Sequence, residues 1–390
     1  MTEAIKQLFD DQAAQPELGS VRDAYSGRLF PTTQIHTFRN IDKLFPTRVV
    51  GRGDRQPRPL QYRPLPLADM TIETDQGDYD FYDYVSRNRV TALLVTKDEK
   101  VALEQYEYGN TPDTRWMSMS MVKSISTTLV GAAMQDGLIT SLDDPLTKYL
   151  PSLKGGSYDR VTVRHLLQMT SGVHWDETHT DPNSERRQVL ELQIAQKPGA
   201  ILDYMASLPR VAEPGTHWNY STGETHVVGE LVRAATGEYL ADYLSRKIWS
   251  RLGMESDATW WLEAKDGLEV AGSGLSATLR DYARFAHFIM NGGVIDGEAI
   301  LPDWWVAEAG ASRVINGQDL DYGFMWWPVH PPAGTNFAPG FSARGIFGQY
   351  MYINPTERIV IVVWSARAKP LGSEVILDND FFNAVVKTIR

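Results

Sequence analysis

The sequence predicts an α+β fold in which an antiparallel sheet is flanked by helices and interrupted by an inserted, mainly helical region. Three observations lead there. Strand patterns occur at about residues 90–109 and return after about residue 321. Between Thr140 and Gly274, amphipathic segments alternate with Pro/Gly loops. The stretch after Ser118 carries apolar residues at helical spacing.

Residues 1–74 are rich in Pro, Arg and Gly (Pro46, Pro57, Pro59, Pro64, Pro66) and show no sustained period, so they read as an irregular N-terminal arm packed on the body. VTALLVTKDEKVALEQYEYG, from Val90, has two β-rich runs around Lys97-Asp98-Glu99-Lys100, the pattern of a hairpin. In SMVKSISTTLVGAAMQDG, Val122, Ile125, Leu129 and Ala132 share one helix face and Gly137 is placed to stop the helix. Residues 75–139 and 275–390 are therefore assigned to the sheet domain and 140–274 to the helical insertion. Within the insertion, Ser221 and Glu224 are spaced as a capping box. After a helix at about Thr278 to Asn291, DYGFMWWPV, GIFGQYMYINP (within the strand-like FSARGIFGQYMYINP) and ERIVIVVWSA supply further strands, and an amphipathic helix closes the chain.

A formal net charge of −11 with no Lys/Arg stripe argues against a nucleic-acid partner. No run of eighteen apolar residues is present, so no membrane span is expected. MTEAIKQLFDDQAAQ lacks the basic and apolar regions of an export signal, which makes a cytoplasmic location the expectation. The chain has no cysteine, which removes disulfides, thiolate metal sites and Cys nucleophiles. No feature fixes an oligomeric state.

Ser120-Met121-Val122-Lys123 is the one place where a serine precedes a lysine by three residues. On a helix these positions share a face, and the helix N-terminus places partial positive charge where an oxyanion would form. Alone, the spacing reads equally as an exposed lysine on a helix. EPGTHWNYSTGE sets Tyr220 on a turn before a helix, as a phenol projecting into a cleft or as a packing aromatic. For Lys123 or Tyr220 to act as a base near neutrality, its pKa must fall by about three units, and proximity with desolvation is the expected cause. Gly345, in a strand-like segment, admits substrate close to the backbone or marks a weakened strand, and the Ile346 amide is the candidate to join that of Ser120 as an oxyanion hole.

SMVK, YST and ARGIFGQ, with SLDDPLTKYLP, VRHLLQMTSG, EPGTHWNYST and SGLSATLRDYARF, resemble the β-lactamase-like serine hydrolases over about residues 75–390. That family includes class C β-lactamases, D-alanyl-D-alanine peptidases, family VIII esterases and 6-aminohexanoate-dimer hydrolases. FRNIDKLFPTRVV, TDPNSE and FGQYMYINP are most similar to the dimer hydrolases. The resemblance implies a β-lactamase/transpeptidase-like fold, Ser120 as nucleophile, Lys123 as its base partner and Tyr220 as proton shuttle to the leaving group. It also implies substrate contacts at His179, Thr222, Ala343, Arg344 and Gly345.

Three departures follow. Thr222 stands where many relatives have Asn. Ala343-Arg344-Gly345 replaces a Lys-Thr-Gly-like triplet and lacks its cation, which weakens the β-lactamase and peptidase readings. His179 stands where the dimer hydrolases place a tyrosine over the bound amide.

His174, Asp176, Glu177, His179 and Asp181 offer metal-ligating types, but at no usual ligand spacing, so no metal or cofactor is expected and the segment reads as a polar loop at the cleft mouth. No GxSxG elbow, P-loop or GxGxxG motif is present. Trp326 or Trp327 is a candidate wall for an apolar acyl pocket. The expected function is hydrolysis of a small ester or linear amide through an acyl-enzyme. The alternatives are a class C-like β-lactamase, a D-alanyl-D-alanine peptidase and a catalytically silent penicillin-binding-like sensor.

Overall fold

The run Ile359–Ser365 is buried at every position, which requires cover on both faces of its sheet. The computed structural model, which describes residues 17–390, supplies that cover. Seven strands form the main sheet: β1 (Gln61–Tyr62), β2 (Val90–Lys97), β3 (Lys100–Tyr106), β4 (Trp327–Val329), β5 (Gly340–Gly345), β6 (Gln349–Asn354) and β7 (Ile359–Ser365). Their order is β4-β5-β6-β7-β2-β3-β1, so strands from both ends of the chain meet at the β7–β2 pairing. All neighbours are antiparallel except β1 and β3.

Alternation along the strands divides the interior into two cores. Leu93, Val95, Ile361 and Val363 face Phe81 and Tyr84 of α1 (Phe81–Arg87) and the apolar side of the C-terminal helix Asp378–Ile389. Leu94, Val360 and Val362 face the larger core, which holds α2 (Val122–Gln135), α3 (Thr222–Thr236) and α4 (Leu279–Met290).

The predicted hairpin turns at Asp98 and Glu99, both with positive φ, as a two-residue hairpin loop requires. Helix α2 ends at Asp136, and Gly137 follows in the left-handed conformation. Helix α4 is capped by the Thr278 hydroxyl, which accepts from the Asp281 amide. Ser221 likewise caps α3, but Glu224 does not complete the box. Its carboxyl group accepts a hydrogen bond from Ser171, and burial raises its pKa to about 8.

Two expectations are corrected. The arm is not irregular throughout: among the described residues, Val21–Tyr25 and Pro31–Arg39 are helices. Thr47–Val50 pairs with Ala258–Trp261 in a four-stranded antiparallel sheet completed by Leu275–Thr278 and Arg115–Met117. The segment read for an export signal lies outside the described residues. Second, FSARGIFGQYMYINP is not one strand but the β5–β6 hairpin, turned through Phe347 and Gly348, both with positive φ. Among the described residues no helix is long and apolar enough to cross a membrane.

Candidate active site

Ser120 lies in a single 3-10 turn, Met119–Met121, that leads directly into α2. Met119 enters that turn with φ 48°, a left-handed conformation that costs a residue with a β-carbon of order 1–3 kcal/mol. The turn is held against β5. A β-carbon on Gly345 would lie 2.6 Å from the Ser118 carbonyl oxygen and 2.9 Å from Met119 Cβ. The glycine expected to admit substrate therefore admits the chain's own Ser120 turn. Gly345→Ala is expected to cost about 1–3 kcal/mol by overpacking and to lower kcat by displacing Ser120. Thermal denaturation and steady-state kinetics on the same variant check both effects.

One helical turn beyond Ser120, the Lys123 amine is 2.9 Å from Ser120 Oγ and donates to the Gly272 carbonyl at 2.8 Å. Gly272 has no side chain to hold the loop away, since a β-carbon there would lie 3.3 Å from Lys123 Nζ and 2.9 Å from Thr222 Cγ2. Lys123 is 2% exposed. Burial lowers its pKa to about 7; the Glu177 carboxylate opposes the shift and Arg186 adds to it. Near neutrality a substantial fraction is the free amine, whose lone pair can accept the serine proton.

Tyr220 stands just ahead of α3, with the Lys123 amine 5.3 Å from its ring centroid. Burial drives its phenol pKa above the ordinary range and the negative charge of Glu177 adds to this, while hydrogen bonding from Ser120 opposes it. The expectation that desolvation would make either group a base is thus corrected. Desolvation disfavours whichever form is charged, so the same burial favours the neutral amine of Lys123 and the neutral phenol of Tyr220.

Trp327, at the start of the edge strand β4, is half-buried with its ring centroid 5.9 Å from that of Tyr220 and 4.7 Å from that of Tyr322. It lines the site together with Trp218, whereas Trp326 is buried against Phe341. Ile346 follows β5 directly, outside the strand ladder. Among the described residues, neither its amide nor that of Ser120 donates to another backbone group outside regular elements.

The remaining predicted contacts are placed differently. Ala343 is fully buried in the core, so its methyl group lines no cleft. Arg344, on the opposite face of β5, donates to Ser342 Oγ at 2.9 Å and Asn379 Oδ1 at 3.1 Å, with its guanidinium 5.3 Å from the Trp327 ring centroid. These contacts hold it against Trp327 and the C-terminal helix. Thr222 is buried, and its amide and hydroxyl both donate to Glu177. His179 is buried beneath Tyr25, with ring centroids 6.2 Å apart. Burial lowers its pKa to about 4, against the pull of Glu177, so it is neutral at neutral pH.

Glu177, weighed from the sequence only as one of five candidate metal ligands, is the group that organises these neighbours. Glu177 accepts from the Thr222 amide at 2.9 Å and Trp175 Nε1 at 2.5 Å, and lies 4.0 Å from Arg186 Nε. Burial pushes its pKa up, but His179, Lys123, Arg186 and Thr222 together hold it below the usual glutamate value. The Arg186 guanidinium is 4.4 Å from the Tyr25 ring centroid, and the Tyr25 hydroxyl bonds Ser273 Oγ at 2.8 Å, beside the loop that holds Lys123. The N-terminal arm is therefore part of the wall behind the site. The five residues weighed as a metal site do not converge: His174 faces Glu185 at 3.4 Å, and Asp176 accepts from the Thr178 amide.

A serine bonded to a buried amine, beside a protonated phenol and two adjacent backbone segments, has the parts of an acyl-transfer centre. The chain belongs to the β-lactamase family, a family of serine hydrolases, whose sequence profile matches residues 85–379. It is 28% identical over 391 residues to the 6-aminohexanoate-dimer hydrolase of Paenarthrobacter ureafaciens, with 94% of each chain covered. Among solved structures it resembles a candidate 6-aminohexanoate-dimer hydrolase from Bacillus anthracis, with a TM-score of 0.79, 22% identity and coverage of 92% and 93% of the two chains. A family VIII carboxylesterase superposes with a TM-score of 0.58 and 17% identity, over 76% of this chain and 91% of that one. The fold is accordingly of the β-lactamase/transpeptidase type.

Proposed function

We propose that this protein hydrolyses small esters or linear amides through an acyl-enzyme on Ser120. The observation that carries the reading is the 2.9 Å contact between Ser120 Oγ and a lysine amine whose pKa burial has lowered to about 7. Ser120 Oγ attacks the carbonyl carbon while Lys123 Nζ takes the hydroxyl proton. The tetrahedral oxyanion is received by the amides of Ser120 and Ile346, at the N-terminal end of α2. The bond to the leaving alcohol or amine breaks as the Tyr220 hydroxyl gives up its proton, which the Lys123 ammonium then restores. Water next attacks the acyl carbon, loses a proton to the same pair and releases the acid, leaving Ser120 protonated.

Leaving-group chemistry tests the division of labour. An amine must be protonated to leave, whereas p-nitrophenolate leaves as an anion. Tyr220→Phe is therefore expected to lower kcat/KM by about 10²–10⁴-fold on a linear amide and by much less on a p-nitrophenyl ester. Equal losses on both would assign Tyr220 a role other than proton donor.

The absence of a cation at position 343 and the aromatic wall of Trp218, Tyr322 and Trp327 favour an alkyl chain over a substrate carboxylate at this end of the site. A panel of p-nitrophenyl esters, nitrocefin and 6-aminohexanoate dimer decides the substrate class. Esters or the dimer are expected to turn over fastest, and predominant nitrocefin cleavage would replace this reading with a β-lactamase.

A further inference from the structure

Behind the helix that follows Tyr220, three metal-ligating side chains, two of them buried, converge that the reaction does not use. His226 and Glu230 are four residues apart on one face of α3, and Glu263 comes from the segment that follows Ala258–Trp261. One ligand atom from each lies within 4.8 Å of the other two. His226 is 2% exposed and neither of its ring nitrogens makes a hydrogen bond of ordinary geometry; its nearest acceptor is Glu263 Oε2, which has no other partner. Buried polar atoms left this way carry a desolvation penalty that a ligand would relieve.

The spacing identifies the ligand class. His226 Nε2 is 3.5 Å from Glu263 Oε2 and 3.9 Å from Glu230 Oε1. A hydrogen bond would bring such atoms to about 2.7–3.2 Å. Ligand atoms about 2.1 Å from one cation at the tetrahedral angle lie about 3.4 Å apart. The pocket is thus too wide for a hydrogen bond and close to the edge of a tetrahedral metal site. Its donors are one imidazole and two carboxylates, a set suited to Zn(II).

The surroundings agree with a metal that holds structure. Glu263 Oε1 accepts from the Gly199 amide at 2.8 Å, which fixes the carboxylate from behind and leaves Oε2 directed at the imidazole. Glu230 is 18% exposed and offers an entry path; Asp203 and Arg233 are the other charged groups that act on it. The Glu263 segment, the start of the helix Ala200–Ser207 and α3 meet at this point.

We propose that His226, Glu230 and Glu263 form a structural site for a divalent transition metal of the zinc type, which fastens the base of the helix that follows Tyr220. Protein stripped with chelator and titrated with zinc chloride is expected to bind one Zn(II) per chain, with proton release and a raised thermal midpoint. Cobalt(II) in its place is expected to give the intense visible spectrum of four-coordinate metal. His226→Gln and the partly exposed Glu230→Gln are each expected to weaken zinc binding at least about tenfold, the second without dependence on a fully buried position. Absence of saturable binding, an affinity in either variant equal to that of the parent, or a six-coordinate cobalt spectrum would overturn the proposal. Each readout is independent of turnover, so the outcome stands whichever substrate the enzyme takes.

Discussion

Ser120→Ala is expected to lower kcat by about a million-fold on any substrate that the parent turns over. The size follows from what the substitution removes. Without Oγ there is no covalent route, and the amine and phenol are left facing each other with nothing to deprotonate. What remains is binding and oxyanion stabilisation, which sustain only a small residual rate over water. The substitution removes one atom from a partly exposed position, and Lys123 keeps its hydrogen bond to the Gly272 carbonyl, so folding should be little affected. A rate within tenfold of the parent, measured on protein freed of contaminating esterase, would remove Ser120 from the mechanism.

Lys123→Met is expected to lower kcat/KM by about 10²–10⁴-fold, the usual contribution of a positioned general base, and to change the pH profile. Methionine preserves the length and apolar stem while deleting the amine. In the parent the active form is the free amine, so kcat/KM should rise with pH through a limb near the Lys123 pKa of about 7 and level off above it. The sign follows from the cause: burial disfavours the ammonium, and lowering the pH restores it and removes the base. In Lys123→Met that limb should vanish. Its survival at the same pH would place the titrating group elsewhere; Glu224, raised to about 8 by burial, is then the group to test.

The fold was largely legible where periodicity runs long. The alternating and continuous apolar runs of β2, β3 and β7, and the helical face of α2, each extend for seven residues or more, enough for burial to leave its period in the sequence. The four-stranded sheet was not legible. Its strands are three or four residues long, and Thr47–Val50 finds its partner more than two hundred residues away. Such a strand leaves too short a pattern to distinguish from a loop.

The site divides in the same way. Ser120 and Lys123 were readable because helical geometry alone puts them together. The Glu177–Arg186–Tyr25 wall joins the N-terminal arm to a distant loop and helix through buried charge, and a mixed-charge stretch such as HWDETHTDPN reads first as a solvated loop. Arg344 was misplaced because strand alternation decides which face a side chain takes, and a motif position does not give that face. The direction of the Tyr220 shift followed from elementary electrostatics once its burial was known, and that burial depends on Trp218, Tyr322 and Trp327, of which two lie over a hundred residues away.

The central claim is that Ser120 carries the acyl group. Rapid acid quench of the protein during turnover of a p-nitrophenyl ester, followed by intact-mass measurement and peptide mapping, reads it directly. The account predicts a gain of one acyl mass, confined to the peptide that contains Ser120 and absent from Ser120→Ala. An adduct mapped to another residue, or undiminished turnover by Ser120→Ala with no adduct on the parent, would contradict it.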